Sequence, residues 1–187
     1  MTTKRLKNWP LWAQRSLQGL TYWMGHRRCL YRHYPLSEGA LVAEMCNLIH
    51  ANLPDSLMLT CEVQYEKLLP GTAQPGILTH RARADLVILR KASNGSDPQP
   101  KFIIEVKRAG APKGQIDADL RRLAAVRSSH PGIRTFMFAV SEAARPKRFV
   151  NDKGSSQKGK QIIPKSTGYY RVRRTWKAAH VISAQSS

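Results

Sequence analysis

Two strand-like runs, Ala82 to Arg90 (ARADLVILR) and Lys101 to Lys107 (KFIIEVK), flank the stretch KASNGSDPQP, whose Gly, Pro, Ser and Asn content reads as a turn. That pairing constrains the chain more than any other feature. With the turn centred near Gly95 and Ser96, folding the strands back sets Asp85 almost opposite Glu105. Directly opposed side chains on antiparallel strands lie about 5 Å apart, and like charges there destabilise the pair. A divalent cation is the simplest compensation: Mg2+ takes carboxylate oxygens and keeps several waters. Alternation along the second strand places Ile103, Glu105 and Lys107 on one face and Phe102, Ile104 and Val106 on the other. Lys107 therefore points toward the two acids, where an ammonium positions a water and offsets charge building on a phosphate.

The rest of the chain supplies a frame for that hairpin. Pro10 to Met24 has helical spacing of Leu17, Leu20, Trp23 and Met24, and the turn-prone basic stretch GHRRCLYRHYP follows. Ser37 suits the N-cap of a helix over Glu38 to Asn52, in which Leu41, Val42, Met45, Leu48 and Ile49 form a buried stripe. Met58 to Leu69 reads as a strand, Gly114 to Ser129 as a helix and Ile133 to Val140 as a buried strand. The order helix, three strands, helix, strand predicts a mixed α/β sheet with helices on its faces. Beyond it, Ala143 to Thr167 reads as a mobile basic loop, and Tyr169 to Trp176 as a final strand with Arg171 and Arg173 on one face. Three parts are expected: a basic arm and helix over 1–35, a core over 36–142, and a basic loop and strand over 143–187 that belongs to the same domain.

Glu38 falls on the apolar stripe of its helix, and an acid there needs a reason. A place completing the water shell of the metal is one; stabilisation of the first helical turn by the helix dipole is the other. Glu44, off the stripe, is the fallback. Asp117 and Asp119 are read as helix surface, with Asp117 facing solvent or pairing with Arg121. His26, Cys29 and His33 have zinc-like spacing but no evident fourth ligand, so Cys29 is read as a small apolar residue.

Asp85 in RADLVI, EVK at Glu105 to Lys107, an acid on the preceding helix and a helix after the EVK strand together resemble the PD-(D/E)xK, or restriction-endonuclease-like, nuclease superfamily. The resemblance covers roughly 36 to 140, with Ala84 where the family's nominal Pro stands. It implies an αβββαβ core, Mg2+ bound by Asp85 and Glu105 with Mn2+ able to substitute, and Lys107 assisting the nucleophilic water. It also implies Gln115 as the glutamine of the following helix that joins the site. The activity implied is metal-dependent phosphodiester hydrolysis, here by a DNA endonuclease.

Charge distribution points to the partner. The chain carries 31 Lys and Arg against 12 Asp and Glu, a net charge of +19. Residues 1–35 contribute +7 without one acid and 143–187 contribute +10, while the core is near neutral at +2. Cationic flanks on a neutral core are the distribution expected of phosphate contacts. Lys147, Arg148, Arg171, Arg173 and Arg174 are the expected nucleic-acid contacts, with Trp9, Trp12, Tyr169, Tyr170 and Trp176 available to stack on bases. The main alternative is a non-catalytic nucleic-acid-binding protein on the same fold, and a third reading is a basic RNA-associated protein. Cutting both strands of a duplex calls for two active sites, hence a homodimer or an assembly with other DNA-processing subunits. Three cysteines without a C-x-x-C favour a reducing, cytoplasmic setting. No membrane span or signal peptide is expected, and mitochondrial targeting by the acid-free start is the lesser alternative.

Overall fold

The computed structural model describes residues 9–31, 33–70, 77–79, 81–92, 96–142 and 146–152, and the backbone alone of 160–162, 169–174 and 180–186. Helices α1 (Leu11–Leu30) and α2 (Glu38–His50) lead into strand β1 (Leu57–Gln64), a single turn α3 (Tyr65–Leu68), and the hairpin β2 (Arg83–Arg90) and β3 (Gln99–Arg108). Helix α4 (Lys113–Ser129) then crosses to β4 (Arg134–Ser141), followed by β5 (Lys160–Ile162), β6 (Tyr169–Arg174) and β7 (His180–Ser186). The strands form one mixed sheet in the order β1-β2-β3-β4-β7-β6-β5. Among the described strands only β3 and β4 run parallel, as a strand–helix–strand crossover requires.

The β2–β3 ladder runs antiparallel to the pair Leu86 and Ile104, so Asp85 faces Glu105 one step beyond it. A register shift between Ile88 and Leu89 bends the far end. Gly95, at the expected turn centre, lies outside the described residues.

Alternation divides the core into two layers. Ile104 and Val106 join Leu86, Ile88, Phe136 and Phe138 beneath α1 and α2, whereas Ile103 joins Val87, Met137 and Leu120 beneath α4. The first layer is aromatic: Trp9 packs on Phe136 with ring centroids 4.8 Å apart, and Trp12 meets Phe102 edge-on at 5.2 Å. Such pairs add about 0.5–1.5 kcal/mol each beyond the area they bury. Both tryptophans are thus core residues rather than base-stacking ones.

The helices show why they end where they do. Ser37 caps α2, its Oγ accepting from the amide of Ala40 at 3.1 Å, and Leu41, Met45 and Ile49 are the buried stripe. Helix α1 runs six residues beyond Met24 through the stretch read as turn-prone. Gly25 sits in open space, and Arg27 and Arg28 in the last turn complement the negative helix end. Where α1 crosses α2, Ser16 Oγ reaches the Leu48 carbonyl at 3.1 Å, and a Cβ at Gly19 would stand 2.8 Å from a Leu48 methyl.

Three expectations are corrected. The strand expected over Met58 to Leu69 stops at Gln64, because Glu62 takes a positive φ of 53° and the next turn coils to bury Tyr65. The segment expected to be a mobile loop contains 146–152, which returns to the core with Phe149 and Val150 buried. β7, not anticipated, inserts between β4 and β6.

Candidate active site

The site is assembled where β3 reaches its carboxyl end. Glu105 is buried, at 2% exposure, with its Oε1 accepting from the hydroxyl of Tyr65 at 2.6 Å. Asp85 turns an oxygen onto the β3 backbone, its Oδ2 accepting from the amide of Val106 at 2.7 Å. The two carboxyl groups face one another across the β2–β3 ladder, and the Asp85 charge is felt at Glu105.

Electrostatics follow from that arrangement. Burial and then the Asp85 charge push the Glu105 carboxyl up to about 8, against the lowering influence of Tyr65 and Arg122. Burial also raises Asp85, opposed by the Val106 amide and by the adjacent Glu105 carboxyl and Lys107 charge. Tyr65 is driven well above the ordinary phenol range by burial and then by the Glu105 charge, so its hydroxyl remains a donor.

Lys107 lies beside this pair in a second cluster. Its Nζ is 2.5 Å from Glu38 Oε1 at the start of α2 and 3.2 Å from Asp119 Oδ2 on α4. The first is a hydrogen bond; the second has ion-pair distance without hydrogen-bond alignment, leaving that buried Oδ2 otherwise unmatched among the described residues. Arg122 binds the other oxygen of Asp119. The lysine side chain is only 13% exposed, so its charge is held by two acids from two helices packed on opposite faces of the sheet.

Among the candidates, Asp85, Glu105, Lys107 and Glu38 come together. Glu38 enters through Lys107, and its charge is felt at Asp85 as a raising influence. Gln115 is exposed in the first turn of α4, and Asp119, one turn further along the same stripe, is the residue that meets Lys107. Asp117 and Asp119 are buried rather than surface residues, at 5% and 2% exposure. Arg148, expected on nucleic acid, pairs with Asp117 and stacks over Phe149, while Lys147 is exposed. The backbone of Arg171, Arg173 and Arg174 forms β6; their side chains, and Trp176, lie outside the described residues.

Tyr65 and Asp119 are the site residues that sequence reasoning missed. For Asp119 the signal was present: it follows Ile116 by three residues and precedes Leu123 by four, the stripe criterion that singled out Glu38. Tyr65 had no such signal, since only the turn after β1 delivers it.

Two opposed carboxyls fit a hard cation that takes one or two carboxylates, with water and a substrate phosphate completing its shell. Among the described residues no group of three His, Cys, Asp or Glu side chains is placed to hold a metal, so any ion would rest on this pair and on water. His26, Cys29 and His33 form no such group, and Cys29 is exposed. No described helix is long and apolar enough to cross a membrane. Comparison with family models, curated protein sequences and solved structures finds no match for the chain.

Proposed function

We propose that this chain is a metal-dependent phosphodiester hydrolase. Within that class we read it as a Mg2+-dependent DNA nuclease with a restriction-endonuclease-like core. The observation that carries the reading is the Asp85–Glu105 pair, a half-buried and a buried acid directly opposed across two central strands, with Lys107 alongside.

A purely structural pair would gain nothing from such repulsion, whereas a cation held between Asp85 and Glu105 would relieve it. Mg2+ bound there supplies Lewis acidity toward a scissile phosphate and a more acidic water. Tyr65 fixes one oxygen of Glu105 and the Val106 amide fixes one of Asp85, so the free oxygens are held in a set orientation. Lys107 carries the positive charge that orients the attacking water and balances charge on the phosphoryl oxygens, and Glu38 and Asp119 hold its ammonium in place. The +19 net charge supports a polyanionic substrate.

Supercoiled DNA incubated with Mg2+ should be nicked by the wild-type chain and, at rates lower by roughly 10²–10³-fold, by Asp85→Asn and Lys107→Ala. The Asp85→Asn variant retains an acceptor for the Val106 amide, so a folding defect and a chemical one are separable by circular dichroism. Equal nicking by all three proteins, or by none with supercoiled, linear and single-stranded DNA, would sink the proposal and favour a non-catalytic binder.

A further inference from the structure

The last turn of α1 and the segment leading to α2 form an exposed lip beside this site. Leu30, Tyr31 and Tyr34 are 60%, 53% and 70% exposed, among the most open large apolar side chains described. Cations are interleaved with them: the Arg27 guanidinium sits 5.6 Å from the Tyr31 ring centroid and donates to the Tyr34 carbonyl at 2.8 Å. His33 is also exposed, and no acid occurs in the first 35 residues.

The position of the lip follows from Glu142, the residue after β4. Its carbonyl accepts from Arg28 at 3.1 Å and its Oε1 accepts from the Leu36 amide at 2.7 Å. β4 runs parallel to β3 with Ala139 paired to Lys107, so the lip is pinned at the same end of the sheet as Lys107. Tyr34 precedes the site's Glu38 by four residues.

We infer that this lip is a stacking surface for unpaired bases of single-stranded DNA, whose backbone passes to the Asp85–Glu105–Lys107 centre; the inference rests on the nuclease reading of that centre. A duplex hides the faces of its bases, so exposed tyrosine rings gain little from it. An unpaired strand offers both a π-face for each ring and a phosphate for each guanidinium. The substrate class is therefore a single strand, or a duplex with an unpaired segment, rather than a fully paired duplex read through its grooves.

Fluorescence anisotropy of the full chain in EDTA, with labelled oligothymidylate and with its oligodeoxyadenylate duplex, tests this without any cleavage. The single strand should bind more tightly than the duplex. Tyr31→Ala/Tyr34→Ala should weaken single-strand binding at least about fivefold, with Tyr31→Phe/Tyr34→Phe close to wild type. The salt dependence should stay unchanged, since no cation is removed. Duplex binding as tight as single-strand binding, or an alanine pair that binds like wild type, overturns the inference, the latter leaving the lip to a protein partner. Because the assay contains no metal, a chain that never cuts DNA can still bind through the tyrosines. A chain that nicks but ignores them sinks the lip alone.

Discussion

The two faces of the central sheet are built on opposite chemical plans. Beneath α1 and α2 lie Trp9, Trp12, Phe136 and Phe138, and the buried hydroxyls there, Ser16 and Thr21, are satisfied by carbonyls within their own helix at 2.7 and 2.8 Å. Beneath α4 the sheet buries Glu105, and the helix itself buries Asp117 and Asp119, with Arg148, Arg122 and Lys107 as partners. Apolar burial stabilises without conditions, at about 25 cal/mol per Å². Buried ions stabilise little and become costly once a partner is lost. Both faces bury an apolar layer, but the one beneath α4 also keeps ionisable groups out of water and in register.

The largest effect expected from separating the faces is on stability. Phe136→Ala should cost about 3–5 kcal/mol in chemical denaturation, since a fully buried ring is removed from a close-packed layer. A loss below ~1 kcal/mol would mean that the aromatic layer contributes little to stability.

Glu105 should behave in the opposite sense. Its folded-state value of about 8 lies above the ordinary 4.5, so the folded chain holds an extra proton between those limits. Stability from this group is present in full below about pH 4.5 and is lost as pH rises toward and past 8. Glu105→Gln should thus be more stable than wild type by up to a few kcal/mol at pH 9 in EDTA, and about equal to it at pH 4. A melting-temperature difference that does not change with pH would show that ionisation of Glu105 is not opposed by its surroundings.

A smaller effect is expected at Asp119. Asp119→Asn removes the charge facing Lys107 and Arg122 but keeps the shape, and should cost about 1.5–3 kcal/mol, the range for hydrogen bonds to charged groups. It should also lower the rate of DNA nicking, because Lys107 is then held by Glu38 alone. An unchanged nicking rate would reduce Asp119 to a structural role.

How much of this was legible in the sequence depended on the range of the forces involved. The β2–β3 hairpin was readable because both strands and their turn are contiguous, and the opposition of Asp85 and Glu105 then follows from counting. Ser37 and the α2 stripe were readable for the same local reason. The single-turn helix at Tyr65 was not, because a run with strand propensity was overridden by burial of one ring against Glu105. Asp117 looked like surface until Arg148, 31 residues later, returned as its partner. The extension of α1 escaped notice because Gly25 and a run of basic residues resemble a turn when the sheet beneath is out of view. Asp119 was read as helix surface, although its spacing on the apolar stripe was enough to bury it despite its charge.

Glu142 has a consequence for the order in which the chain matures. It ties Leu36 and Arg28 to the end of β4 across separations of 106 and 114 residues, and Trp9 rests on Phe136 of the same strand. During synthesis the N-terminal helices emerge first, and Trp9 has no Phe136 to rest on until β4 has been made. The docking of α1 is therefore complete only after the long-range contacts that slow folding have formed. The lip at its end would then be among the last surfaces to take shape, so DNA binding through it would mark a chain whose β3 and β4 have already closed.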